Sequence, residues 1–549
     1  MKILNNRNFL LTVVALFLFT LFIGNSVFTL WDTAEGTYAA LAKDVYDTGN
    51  WLTPSASWMS SEQVFPLQVW LTALSYSMLG VTEFAVRFPS LLALIGVFVA
   101  FYFFGKERFG EETITFASIV LCSSLIIPSI AKIGTPDALA LLCTTMAILA
   151  FYNYLQNGLA KWNYIFWGAI ALGLLANGVS ILILAVGIWL FLFAINTNER
   201  SKLMAMKPWL LLPLALTPFL IWLIAVFQAD SSYFFQVWYA SGEGSWSSLP
   251  GFHFLILCFA FLPWVGFLPN SIMDSFKGAS KKETDGLFFT GVLILGWIIY
   301  ELFPFKLPTT ALAVHPLLAI LIAQQFLHHK KACEKYHDFS VDEHPKLRAQ
   351  KAGFNKENWI KTAAILGLIS TFLLTLLLML NSYHYVGPAG MRSSSMLSLV
   401  FWGTGFLGII GLYSRNPNLM FYNMFIGGFA FSLLLWVLIV PILEPAKSVN
   451  KRAVTEAIKQ AEADVPVVIA VSPSKQMPSL PFYVSQTFKD KTMIEDASDL
   501  EELMNDDKEQ LFIVEDFYKD VINVDSTLQP VQGYWLNRYE DVQYWVYKH

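Results

Sequence analysis

The chain has 549 residues, of which 55 % are hydrophobic, 15 % are aromatic and only 14 % are charged, and its mean hydropathy is +0.52. Soluble globular proteins carry about 25 % charged residues, so this composition excludes an ordinary cytosolic enzyme. The net charge of −5 and the lack of a polybasic tail argue against nucleic-acid binding. The composition indicates a polytopic membrane protein.

Long apolar blocks recur from Phe9 to Leu443, and many of them are close to the roughly 20 residues that span a bilayer. Counting these blocks against the polar breaks predicts about 13 transmembrane helices. The fifth and sixth are separated only by the sequence Ala-Asn-Gly that ends at Gly178, so they could also form one broken helix.

Lys and Arg residues are concentrated in alternate loops, and the loop from His328 to Asn358 is the most basic. The opposite set of loops has few cations, which are Lys43, Lys132, Lys306 and Arg392. Because positive charge marks the cytoplasmic side, the N-terminus is predicted to be cytoplasmic. An odd number of spans then places the C-terminus outside.

Two regions outside the spans have informative patterns. The first external loop, from Trp31 to Val86, has an apolar stripe from Tyr38 to Val45 at helical spacing, and Leu67 to Leu79 forms a second stripe. These patterns predict amphipathic helices that lie on the membrane. The tail of about 100 residues is long enough for a small domain.

The tail alternates predicted helices with predicted strands, a pattern typical of a small α/β fold. The predicted helices and strands are, in chain order, Val454 to Glu462, Pro466 to Val471, Asp499 to Asn505, Gln510 to Val514 and Val542 to Tyr547. The sequence therefore predicts an all-α membrane domain at 1–447 and an α/β domain at 448–549.

No phosphate-binding glycine loop, nucleophile elbow or Cys-x-x-Cys pair is present in the sequence. Instead, charged residues collect at the predicted outer ends of the spans: Asp32, Glu35, Arg87, Lys132, Asp137, Glu301, Lys306 and Arg392. Such charges are costly at membrane depth and are usually paired or functional. Cations that hold a phosphate and a carboxylate that acts as base suit a reaction on a lipid phosphate. The alternative is that these groups snorkel or cap helices.

Aromatic residues in the loop after the seventh span are further candidates. Trp238 and Tyr239 could stack on a sugar ring, although aromatic residues are common at membrane interfaces for partition reasons alone.

The order of these segments resembles the C-type polytopic glycosyltransferases, in particular the family that holds the lipid A aminoarabinose transferases and the protein O-mannosyltransferases. LWDTAEGTYAALAKDVYDTGNWLTP resembles the first external loop of that family, and IGTPDALALL resembles its second acidic motif. LGLLANGV is similar to the family's fifth-to-sixth turn, and PFKLPTTALAVHPLLAILIA to its Lys-Leu-Pro-Thr motif.

The resemblance implies transfer of a sugar from a polyprenyl-phosphate donor to a lipid, glycan or protein acceptor at the external face of the bacterial inner membrane. It implies that Asp32 or Glu35 of the first loop acts as base. Arg87 and Lys306 are then expected to oppose the donor phosphate, and Asp137 to orient a cation or the acceptor. Membrane lipid is an expected partner, other membrane proteins are candidate partners, and the tail is expected to be periplasmic.

The sequence also departs from the family's pattern. Ala34 stands where the family has the first-loop Asp, Gln63 and Val64 replace a Glu-Lys pair, and Asn177 replaces a Lys. No cofactor is predicted; a divalent metal stays open as an alternative, although the family's usual metal ligands are not all present. These replacements leave open a second hypothesis, in which a non-catalytic relative serves as a binding or scaffolding subunit of an envelope complex.

Overall fold

The computed structural model describes residues 7–32, 34–54, 64–239, 250–302, 306–338, 351, 353, 357–460, 464–472, 477–494, 496–505, 508–522, 529–535 and 540–548. The described part is mostly helical. Its first helices are α1 (Arg7–Phe22), α2 (Ala34–Thr48), α3 (Pro66–Leu79), α4 (Glu83–Phe109), α5 (Glu111–Cys122), α6 (Ile127–Ile130), α7 (Asp137–Asn157), α8 (Ala160–Asn177) and α9 (Ser180–Ile195). They are followed by α10 (Arg200–Ala205), α11 (Pro208–Ala229), α12 (Ser231–Tyr239), α13 (Phe252–Ala260), α14 (Leu268–Ser280), α15 (Thr284–Gly296) and α16 (His315–Asp338). The last long helices are α17 (Glu357–Val386), α18 (Pro388–Tyr413), α19 (Pro417–Leu434) and α20 (Val440–Lys447).

Eight of the described helices are long and apolar enough to cross a membrane. The number is ten if each of two bent helix pairs is one span; the pairs bend by 107° after α9 and by 116° after α13. The chain is therefore a multi-pass membrane protein. The predicted number of about 13 also counts α1, α5 and α8, which do not meet that length and composition criterion, and it stays a prediction.

The C-terminal region contains a five-stranded sheet with three helices, as the α/β pattern predicts. The strands are β1 (Val467–Ala470), β2 (Lys491–Ile494), β3 (Leu511–Glu515), β4 (Val531–Trp535) and β5 (Glu540–Lys548), and the helices are α21 (Val449–Gln460), α22 (Ser479–Thr487) and α23 (Ala497–Met504). The strand order is β2-β1-β3-β5-β4. β1 is parallel to β2 and β3, whereas β5 is antiparallel to β3 and β4.

The segment from Trp31 to Val86, predicted to be the first external loop, contains helices α2 and α3, and the C-terminal region packs on them. The predicted stripe of α2 is buried, with Leu41 at 0 % and Val45 at 1 % exposure, in one apolar core with Leu480 and Tyr483 of α22. The C-terminal region thus covers the apolar stripe of α2. An apolar helix face can be buried by a protein domain as well as by lipid, so the stripe alone did not distinguish the two. The membrane-lying position of the loop and the domain boundary at 447/448 stay predictions.

Candidate active site

A buried ion pair joins the first external loop to the start of α4. The Arg87 guanidinium donates from Nε to Glu35 Oε1 at 2.7 Å and from Nη2 to Glu35 Oε2 at 2.9 Å. Its remaining N–H groups donate to the carbonyls of Asn25, Phe28 and Thr29 at 2.9 to 3.0 Å. Arg87 is 1 % exposed and Glu35 is 0 % exposed. All five guanidinium donors are therefore used inside the protein.

Glu35 also binds two backbone N–H groups. Trp31 N donates to its Oε2 at 3.0 Å, and Gly134 N donates to its Oε1 at 2.9 Å. The second contact requires a glycine, because a Cβ at position 134 would lie 2.5 Å from a methyl group of Val86. The ion pair thus fixes α2, α4 and the turn that precedes α7 relative to one another.

Asp137 is the first residue of α7 and is partly exposed. The Thr135 hydroxyl donates to its Oδ2 at 2.7 Å, and the Thr309 side chain lies near the carboxylate. Thr309 lies three residues after Lys306, whose side chain is 2 % exposed. The structure therefore brings together the segments that carry Asp137 and Lys306, 169 residues apart in the sequence (306 − 137).

Asp32 faces the C-terminal region. Its carboxylate accepts hydrogen bonds from the Ser479 backbone N–H at 2.9 Å, from the Ser479 hydroxyl at 2.8 Å and from Asn450 Nδ2 at 2.8 Å. Burial raises the pKa of Asp32 to about 6, against the opposing effect of these hydrogen bonds and of Lys447. Burial, together with the negative charges of Asp32 and Glu515, raises the pKa of Tyr544, whose hydroxyl contacts the Met477 sulfur.

Two buried lysines donate hydrogen bonds to backbone carbonyls at the end of α1 and in the segment that follows it. Lys132 donates to the carbonyls of Leu21 and Ile23, at the end of α1, and burial lowers its pKa to about 7. Lys447 donates to the carbonyl of Thr29 and lies 4.0 Å from the ring centroid of Trp31. The sequence pointed to Lys132 but missed Lys447; the signal was its position at the end of the last apolar block.

Two other predicted outer charges, Glu301 and Arg392, hydrogen-bond to backbone groups. Glu301 accepts hydrogen bonds from the backbone N–H groups of Gly251, His253 and Phe254, and so caps the start of α13. Arg392 is exposed and donates to the Pro388 carbonyl in its own helix. Helix capping, the alternative that the sequence left open, describes Glu301.

The described positions that depart from the family's pattern differ in burial: Val64 is buried, Ala34 is partly exposed and Asn177 is exposed. Val64 is 2 % exposed, and Phe65 lies against Gly178, where a Cβ would come 2.2 Å from the phenyl ring. Asn177 donates to the Ser180 hydroxyl at 3.2 Å. Gln63 and the side chains of Trp238 and Tyr239 lie outside the described part of the structure. Within the described part, no group of three or more His, Cys, Asp and Glu residues could hold a metal ion.

The sequence is similar to known membrane glycosyltransferases. Residues 63–224 match the family model described as dolichyl-phosphate-mannose-protein mannosyltransferase. The undecaprenyl phosphate-alpha-4-amino-4-deoxy-L-arabinose arabinosyl transferase 2 of Proteus mirabilis is 25 % identical over 308 residues, which cover 54 % of this chain and 55 % of that protein. The corresponding Yersinia enterocolitica transferase is 27 % identical over 313 residues, with the same coverage. The chain thus matches about half the length of these relatives.

The fold is shared over nearly the whole chain. The crystal structure of ArnT from Cupriavidus metallidurans in the apo state gives a TM-score of 0.73 at 14 % sequence identity, covering 98 % of each chain. The structure of that protein bound to undecaprenyl phosphate gives 0.72 with the same coverage. The predicted resemblance to the C-type glycosyltransferases of the aminoarabinose transferase and protein mannosyltransferase family is confirmed.

Proposed function

We propose that this protein transfers a sugar from a polyprenyl-phosphate donor to a lipid, glycan or protein acceptor at the outer face of the bacterial inner membrane. The observation that carries the proposal is the ArnT-like fold over 98 % of the chain, with acidic and basic residues of the matching motifs brought together. The relatives named above are undecaprenyl-phosphate sugar transferases, and the ArnT structure bound to undecaprenyl phosphate supports a lipid-phosphate donor.

The proposal includes the orientation in the membrane. The N-terminus is cytoplasmic, about 13 helices cross the bilayer, and the region 448–549 is periplasmic. The alternation of basic and nearly uncharged loops supports this orientation. It also agrees with a site built from Asp137, Lys306 and the first external loop, all on the side with few cations.

We assign the reacting groups from exposure and from the matching motifs. Asp137 is partly exposed and lies near the segment of Lys306, so Asp137 is the proposed base. The match of Lys306 to the Lys-Leu-Pro-Thr motif makes it the proposed cation opposite the donor phosphate. The acceptor hydroxyl bonds to the anomeric carbon as its proton passes to Asp137. The bond from that carbon to the phosphate oxygen breaks, and polyprenyl phosphate leaves with its negative charge opposite Lys306.

Glu35 and Arg87 are assigned a positioning role. Both are at most 1 % exposed, and every guanidinium N–H group already has a protein acceptor. A base needs access to the proton that it removes, and Glu35 has none in this structure. The pair instead holds Gly134, three residues before Asp137.

A non-catalytic binding subunit is the second candidate function. It is favoured by Ala34, which has no carboxylate, and by the apolar, buried Val64 at a position where the resemblance expects a Lys. A donor phosphate would meet fewer cations in this site than in the family's pattern.

Mass spectrometry of lipids that copurify with the full-length protein separates the two candidates. An enzyme is expected to retain a polyprenyl-phosphate sugar, and Lys306→Ala should retain less of it. Lys161→Ala is the matched control, because Lys161 is an exposed lysine paired with Glu107 in a loop predicted to be cytoplasmic. A stoichiometric protein partner without any polyprenyl-phosphate lipid would contradict the enzyme.

A further inference from the structure

We propose that Ser479 and Asn450 of the C-terminal region are positioning residues, which hold the first external loop through Asp32 and so keep the site aligned for transfer. The part of this inference that concerns transfer rests on the proposed function. The part that concerns the loop does not, since it follows from a buried junction between two segments more than 400 residues apart in the sequence.

The junction is a hydrogen-bond network among Asp32, Asn450 and Ser479. Asp32 accepts three hydrogen bonds, and Asn450 Nδ2 also donates to the Ser479 hydroxyl at 2.7 Å. Ser479 is 1 % exposed and Asn450 is 2 % exposed. The Ser479 N–H belongs to the first turn of α22, so the Asp32 carboxylate caps this helix from another part of the chain. A carboxylate at a helix N-terminus is favoured by the helix dipole.

The backbones of the two segments approach closely at Gly36. A Cβ at position 36 would lie 2.9 Å from Ser479 N and 3.3 Å from Asp32 Oδ1, so only glycine fits without a shift. The hydroxyl of Tyr483 accepts a hydrogen bond from Leu30 N at 2.9 Å on the same side. The C-terminal region therefore contacts the loop on both sides of Asp32.

A short path leads from the junction to the proposed base. Asp32 is three residues before Glu35, and the N–H of Glu35 donates to the Trp31 carbonyl at 2.9 Å, in the turn that opens α2. Glu35 in turn binds Gly134 N, in the turn that leads to Asp137. A shift of the loop at Asp32 is thus passed through a buried ion pair to Asp137, and misplacement of a reacting group by about 1 Å can cost about 100-fold in rate.

The test compares Asp32→Ala with Asp32→Asn in the full-length protein. Asp32→Ala removes all three hydrogen bonds. In Asp32→Asn, the amide oxygen can accept from Ser479 N, and the amide N–H groups can donate to the Ser479 hydroxyl and to Asn450 Oδ1, which has no partner in the described structure. Hydrogen–deuterium exchange of residues 28–48, together with kcat and KM for transfer, is measured for both variants.

We expect Asp32→Ala to raise exchange in residues 28–48 and to lower kcat about 10- to 100-fold with little change in KM. Asp32→Asn should restore both the protection and most of the lost kcat. Gly36→Ala should raise exchange in the same way as Asp32→Ala. Gly168→Ala is its matched control, because Gly168 is also helical and a Cβ there meets nothing within 4 Å.

Unchanged exchange and unchanged transfer in Asp32→Ala would overturn the proposal. So would an Asp32→Asn variant with normal exchange and no transfer, since the carboxylate itself would then react. If the wild-type protein shows no transfer with any donor, the proposed function fails, and the exchange comparison alone still decides whether Ser479 and Asn450 hold the loop.

Discussion

Glu35→Gln is expected to destabilise the protein strongly, because the buried Glu35–Arg87 pair has no access to water. Each carboxylate oxygen accepts one N–H from Arg87 and one from the backbone, of Gly134 or of Trp31. A glutamine replaces one oxygen with an NH₂ group, which in either orientation meets two N–H donors. It also leaves the guanidinium without its counter-charge.

Breaking a buried ion pair from one side costs about 3–5 kcal/mol, and we expect a loss of this size in Glu35→Gln. The free energy of unfolding can be measured by SDS titration in mixed micelles, followed by tryptophan fluorescence. Glu111→Gln is the matched control, because it breaks a pair with Lys106 whose side chains are 63 % and 43 % exposed. Exposed pairs contribute little to stability. A Glu35→Gln variant as stable as Glu111→Gln, yet unable to transfer sugar, would refute the positioning role and restore Glu35 as the base.

The pH dependence of stability tests the environment of Asp32. Because burial raises its pKa from 3.8 to about 6, the folded state binds an additional proton between these values, and the free energy of unfolding should fall by at most about 3 kcal/mol as pH rises through that range. Asp32→Asn should lack this decline, and an identical decline in both proteins would contradict the assignment. Gly178→Ala should lose more stability than Gly158→Ala in the same titration; both glycines have positive φ, but only a Cβ at 178 meets Phe65. Equal losses of stability in the two variants would show that the Phe65 ring does not pack against Gly178. Trp238→Ala should raise the KM for the donor about 2- to 10-fold if the indole stacks on the sugar, and an unchanged KM would leave Trp238 an interfacial residue.

The sequence predicts the membrane-spanning class, the small α/β tail and the collection of outer charges, because each depends on composition or local periodicity. It could not show that Arg87 and Glu35 form a buried ion pair, since they are 52 residues apart and their burial depends on the tertiary fold. Nor could it show that Asp32 binds Ser479, 447 residues away.

Short elements were also missed. The helix α22 and the strands β2 and β4 were not predicted. β2 has only four residues, and its side chains are mostly exposed or partly exposed, so it carries little hydrophobic alternation. β1 and β3 are fully buried apolar runs and were found. The sequence signal was thus clear for the fully buried strands β1 and β3 and weak for the mostly exposed β2, whereas α22 was missed although it is largely buried.

Release of polyprenyl phosphate is the most direct measure of the proposed sugar transfer. Purified protein in lipid nanodiscs is given an undecaprenyl-phosphate sugar and an envelope lipid extract as acceptor, and undecaprenyl phosphate is measured over time. We expect release by the wild-type protein and release about 10²- to 10⁴-fold slower by Asp137→Asn, with unchanged folding. Wild-type release that Asp137→Asn matches, or no release with any donor sugar, would contradict this expectation.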